Sequence, residues 1–144
     1  MLKRSSGFTL IELMVALAIA SLLIAIAIPT YISEVRKSRR TEAKTALVDL
    51  AGREERFYNT NNTYSSTPSD LGYGAVAATF PMTVGSGYYQ VNVTFTAAVG
   101  AVPATYTIAA VPIGTQLKDT SCTFFQLTNT GVQTSTPNTT VCWQ

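Results

Sequence analysis

Gly7-Phe8-Thr9-Leu10-Ile11-Glu12-Leu13 opens an apolar run that continues to Tyr31, interrupted only by Thr9, Glu12, Ser21, Pro29 and Thr30. As a helix rising ~1.5 Å per residue, the stretch from Phe8 to Tyr31 spans roughly 36 Å, enough to cross a bilayer. The alternative, a helix buried in a protein core, needs more surrounding chain than a total of 144 residues offers. Lys3 and Arg4 precede the run and Ala25-Ile26-Ala27 further on offers a small-residue cleavage site, which is also the outline of a cleavable secretory signal. Two features oppose that outline. Glu12 sits within the apolar run, where an unpaired carboxylate is costly. Helical character also continues past Tyr31 through Ile32, Ser33, Glu34, Val35, Arg36 and Lys37.

From Ala43 onward the apolar residues Ala43, Ala46, Leu47, Leu50, Ala51, Phe57 and Tyr58 recur at helical spacing, with Val48 off the stripe. Charged residues fill most other positions, and Asn59, Thr60, Asn61 and Asn62 offer a stop. One helix of roughly fifty residues, ~75 Å long, accounts for the pattern. Its first half is apolar all round. Its second half is amphipathic and should lie on an apolar surface of the same chain. Pro29 falls inside this helix, removing an amide donor and predicting a kink near the outer end of the apolar segment.

Charge divides the chain in two. From Tyr58 to Gln144 only Asp70, Lys118 and Asp119 are charged, out of ten basic and eight acidic residues in the whole chain. The distal part is rich in Thr, Ser, Asn and Gly, a surface solvated by hydroxyls and amides and suited to export or to packing against copies of itself. There is no His, which removes the commonest general base and zinc ligand together. With two Cys, no zinc site of the Cys₂His₂ or Cys₃His kind can be built. No nucleophile–base pair is evident, so no catalytic residue, metal or cofactor is expected. Arg36, Lys37, Arg39, Arg40 and Lys44 form the densest basic cluster. It reads as a solvated helix face paired with Glu34 and Glu42 rather than as a DNA-binding or lipid-binding patch.

After the Asn-rich stop, Tyr64 to Gly87 reads as a long connecting loop. Alternation then appears. Tyr89, Val91, Val93 and Phe95 face one way, against Tyr88, Gln90, Asn92 and Thr94; Tyr106, Ile108 and Ala110 alternate likewise, as do Phe125 and Leu127. Asn129-Thr130-Gly131 supplies a turn into Val132, Gln133 and Thr134. Four short antiparallel strands with one face on the amphipathic half-helix make an α+β head.

The segment Gly7 to Leu13, with its short basic leader and the apolar helix carrying Pro29, resembles type IV pilins. Ala27 to Tyr31 and Arg39 to Lys44 fit the same family, and the ending with Cys122, Cys142 and Trp143 is similar to small or minor pilins of Gram-negative bacteria. The resemblance implies a division into a leader (1–7), a long helix (8–59, membrane or filament-core segment 8–31) and a globular head (60–144). It implies cleavage between Gly7 and Phe8 by a prepilin peptidase, which also N-methylates Phe8. It further implies that Glu12 meets the Phe8 amine of a neighbouring subunit, and that Pro29 flexes the packed helices. Read from its residues alone, Glu12 is equally a carboxylate reaching water at the headgroups without a partner.

Two Cys in an exported domain point to one disulfide, Cys122 to Cys142, worth about 3 kcal/mol by loop closure. The implied partners are other pilin subunits, the peptidase, the inner-membrane pilus assembly machinery, and membrane lipid before assembly. The implied location is the inner membrane as a single-pass precursor with its head in the periplasm, then an extracellular filament serving adhesion, twitching motility or DNA uptake. A type II secretion pseudopilin is the alternative within the superfamily. A monomeric membrane-anchored binding domain is the alternative outside it, since it would need neither Gly7-Phe8 nor Glu12.

Overall fold

Leu10–Asn61 form one α-helix of 52 residues, α1. The computed structural model describes residues 8–74 and 79–144, so Gly7 and the leader lie outside the described residues. Thr9 starts the helix: its hydroxyl accepts from the Glu12 amide at 3.2 Å and its carbonyl from the Leu13 amide at 3.2 Å. That is an N-cap with an acidic side chain in the first turn, where the helix dipole favours negative charge. Asn62 ends it with φ 57°, its N–H donating a hydrogen bond of 2.7 Å to the Tyr58 carbonyl. An Asn in the left-handed region is a common helix stop.

The chain divides into two compact units, Met1–Val35 and Arg36–Gln144. In the first, every described residue from Phe8 to Glu34 is exposed. α1 continues through Pro29, and the Thr30 hydroxyl caps the Ile26 carbonyl at 3.0 Å.

In the second unit Ala43, Leu47 and Leu50 of α1 are fully buried against a five-stranded antiparallel sheet. Its strands are β1 (Met82–Val84), β2 (Tyr89–Thr96), β3 (Thr105–Pro112), β4 (Phe124–Thr128) and β5 (Gln133–Thr136), paired in chain order. Of the expected inward residues, Tyr89, Val91, Val93, Tyr106, Ile108, Ala110, Phe125 and Leu127 are buried, while Phe95, near the end of β2, is only partly so. Register pairs Val93 with Ile108 and Ile108 with Leu127, so these side chains meet on one face. Val48, off the apolar stripe, is 57% exposed.

The sheet has one strand more than the four expected. β1 lies inside the stretch read as connecting loop, because three residues are too few for alternation to register. β1 is held through the turn that follows it. Glu42 of α1 accepts from the Ser86 amide at 2.9 Å and from the Ser86 hydroxyl at 3.0 Å. Gly85 in that turn has φ +56°, and a Cβ there would stand 2.6 Å from Glu42 Oε2, so no other residue fits without displacement.

Candidate functional site

Two groups of residues carry the chemistry expected from the sequence, one in each unit, and each is described by itself. In the first, Phe8 is exposed at the start of the apolar run and Glu12 stands exposed in the first turn of α1. Leu10, Ile11, Leu13, Met14, Val15 and Leu17 around them are likewise more than half exposed. Among the described residues nothing covers this surface, and its apolar side chains are kept from water only by lipid or by other molecules. Thr9 and Glu12 have the spacing of a capping box, so Glu12 also belongs to the start of the helix itself.

In the second unit the C-terminal end is stapled. Cys122 and Cys142 are joined by a disulfide across 20 residues of sequence. Cys142 lies in a short helix, α2 (Thr139–Trp143), whose N-cap Asn138 accepts from the Val141 amide at 3.2 Å. Trp143 packs edge-on against Phe125, and its indole N–H donates to the Thr134 carbonyl at 3.0 Å, tying α2 to edge strand β5.

A buried polar network lies between α1 and the 3₁₀ turn Gly114–Lys118. Arg40 forks onto both oxygens of Asp119 at 2.7 Å each. The Gln116 amide nitrogen reaches Asp119 Oδ2 at 3.0 Å and the Tyr89 hydroxyl at 3.2 Å. The hydrogen bond to Asp119 raises the Arg40 pKa further above its already high value, although burial works against it. This network absorbs part of the basic cluster. The Arg39 guanidinium sits 3.4 Å from the centre of the Tyr88 ring, and Lys44 donates to the Gln144 carbonyl at 2.8 Å. Burial lowers the Lys44 pKa, and the nearby Arg40 charge adds to the shift.

The sequence reading marked none of the buried polar residues Glu54, Ser65, Gln116, Asp119 and Ser135 as buried. Gln116 had no local signature. Glu54 did: it is the next position of the buried stripe Ala43, Leu47, Leu50, and it is fully buried there as a carboxyl. Among the described residues no group of three or more His, Cys, Asp or Glu is placed to hold a metal ion.

Residues 29–126 match the family described as type IV minor pilin ComP, DNA uptake sequence receptor. Residues 2–28 match the prokaryotic N-terminal methylation motif. The chain is similar to the fimbrial protein EcpC of Eikenella corrodens, 35% identical over 121 residues, 82% of this chain and 74% of that protein. It is similar to the type IV major pilin protein PilA of Myxococcus xanthus, 41% identical over 70 residues, 49% of this chain. That match spans only 32% of the Myxococcus protein. A type IV pilin structure from Shewanella oneidensis aligns with 72% of this chain and 96% of its own at 25% identity and a TM-score of 0.47.

Proposed function

The chain belongs to the type IV minor pilin family, and from that premise we propose that it is a structural subunit of a type IV pilus. It is made as an inner-membrane precursor with its head in the periplasm. A prepilin peptidase cleaves between Gly7 and Phe8 and methylates the new amine. The inner-membrane assembly machinery then transfers the mature chain from lipid into a filament with other pilin subunits. Support comes from the methylation-motif match over residues 2–28 and from the apolar rod beginning at Phe8.

The observation that carries the reading is an exposed carboxylate, Glu12, in an exposed apolar helix. Leaving lipid for a bundle of such helices keeps the apolar surface dry, but it strands Glu12 unless a cation meets it. The Phe8 amine of a neighbouring subunit is that cation. A mispaired register leaves both charges unmatched, so the pair selects one axial stagger and need add no net stability. Pro29 leaves the Ala25 carbonyl without its helical donor, giving the rod a point of flexure as it packs.

DNA uptake is the task named in the description of the matched family. We assign it to the assembled filament rather than to the basic cluster, because Arg39, Arg40 and Lys44 are engaged within the head. Glu12→Ala tests the proposal. The variant should still be cleaved after Gly7 but be lost from sheared surface filaments; normal incorporation would contradict the role of the carboxylate.

A further inference from the structure

Glu54 occupies the fourth step of the buried stripe on α1 and is 0% exposed. Its Oε2 accepts from the Ser65 amide at 3.1 Å, while its Oε1 is buried with no partner among the described residues. Ser65 is a junction of the segment that follows α1. Its hydroxyl donates to Asp70 Oδ2 at 2.7 Å and accepts from the Thr67 amide at 3.0 Å. Beside it Tyr64 stacks on Tyr58 of α1 at 4.6 Å and meets Tyr106 of β3 edge-on at 4.7 Å. The Glu54 bond to Ser65 therefore reaches the centre of the contact between this segment, α1 and β3.

The titratable groups facing Glu54 are Glu55 and Tyr58 from α1, Tyr64 and (through Ser65) Asp70 from the segment, and Tyr106 from β3. None is a cation. The neighbouring Arg53 is turned to Asp49 and to the Leu71 carbonyl. An ionised Glu54 would thus hold one oxygen dry, beside a second carboxylate. Burial pushes its pKa up to about 7, with the Ser65 amide pulling the other way and the Glu55 charge adding to the rise.

We propose that Glu54 is a proton-dependent latch for the segment from Thr63 to Gly72. Protonated, it keeps Ser65 seated on α1 and β3. When the proton passes to solvent, the carboxylate draws water to its dry oxygen and the segment opens locally while the sheet stays folded. The head presents this segment ordered in mildly acidic surroundings and loosened above neutrality. Any contact made through it inherits that dependence.

Amide hydrogen exchange of the full chain in detergent micelles at pH 6 and 8.5, corrected for intrinsic exchange rates, tests the latch. In the wild type, the amides from Tyr64 to Leu71 should lose protection by about tenfold or more at pH 8.5, while those of Thr105–Ala110 hold theirs. In Glu54→Gln the segment should be equally protected at both pH values. Unchanged wild-type protection, or the same loss in Glu54→Gln, would overturn the proposal. Should that variant fail to fold, the carboxyl carbon resonance of wild-type Glu54 decides: a midpoint above about 6 supports the latch, and one below it overturns it.

Discussion

Arg40 of α1 donates two parallel hydrogen bonds, 2.7 Å each, to the two carboxylate oxygens of Asp119, fastening the end of the 3₁₀ turn to the long helix. The Asp119 side chain is only 2% exposed, so it has little water to fall back on when its partner is removed. Arg40→Ala should therefore destabilise the head by about 3 kcal/mol, read as a lower midpoint in urea denaturation. Arg40→Lys should recover part of the loss, since an ammonium restores the charge without the fork. A neutral Arg40→Ala would mean that water replaces the guanidinium.

Gly85 and Glu42 make a second, separable contact. Gly85→Ala introduces a Cβ 2.6 Å from Glu42 Oε2 at a φ of +56° and should cost about 2 kcal/mol. Part of that cost is the clash and part is the backbone. Glu42→Ala by itself loses the two Ser86 hydrogen bonds, while in the Gly85→Ala background it also relieves the clash, so a double-mutant cycle should show a coupling of about 1 kcal/mol. Strict additivity of the two changes would sink this assignment.

Glu54 fixes the sign of one pH dependence. Its folded pKa of about 7 lies above the ordinary carboxyl value of 4.5, so the folded state binds more protons than the unfolded state between those limits. Stability contributed by this group is complete below pH 4.5 and is lost as pH rises towards and through 7, a change of about 3 kcal/mol. Thermal melts of the full chain in detergent at pH 5 and pH 8.5 should converge in Glu54→Gln and separate in the wild type, with the wild type less stable at the higher pH. The reverse order would contradict burial as the dominant cause.

The disulfide between Cys122 and Cys142 closes 20 residues that include β4, β5 and α2. Its reduction should lower stability by about 3 kcal/mol in the chain-entropy account. The change should appear first around α2, where Trp143 leaves Phe125 and the Thr134 carbonyl. Tryptophan fluorescence, followed with and without reductant, reports it directly because Trp143 is the sole tryptophan.

Much of this architecture was legible in the residues. The apolar run from Phe8 to Tyr31 and the stripe through Ala43, Leu47 and Leu50 have unbroken helical period, and period survives whatever the chain packs against. The strands around Val91, Ile108 and Phe125 alternate for the same reason. β1 was hidden because Met82–Val84 owe their strand conformation to the pairing of Val84 with Tyr89 and to the turn clasped by Glu42, both of them tertiary events. At the start of the apolar run Phe8 and Glu12 were legible as a motif, while the cap from Thr9 was not read although its spacing was plain. Glu54 was missed in the opposite way: in a helix rich in charge, one more Glu reads as solvent-facing. Only its place in the stripe with Leu47 and Leu50 marked it as buried. Asp119 meets Arg40, and the Gln116 side-chain amide meets the Arg36 carbonyl, across some eighty residues of sequence, a distance over which no local pattern operates.

If this chain works as a cleaved, polymerised subunit, its mature form should be recoverable from filaments sheared off the native cell surface. Intact-mass measurement of that material should show a chain that begins at Phe8, carries one added methyl group and lacks the two hydrogens lost to the Cys122–Cys142 bond. A chain that keeps Met1 to Gly7, found only in the membrane and absent from the sheared material, would contradict it.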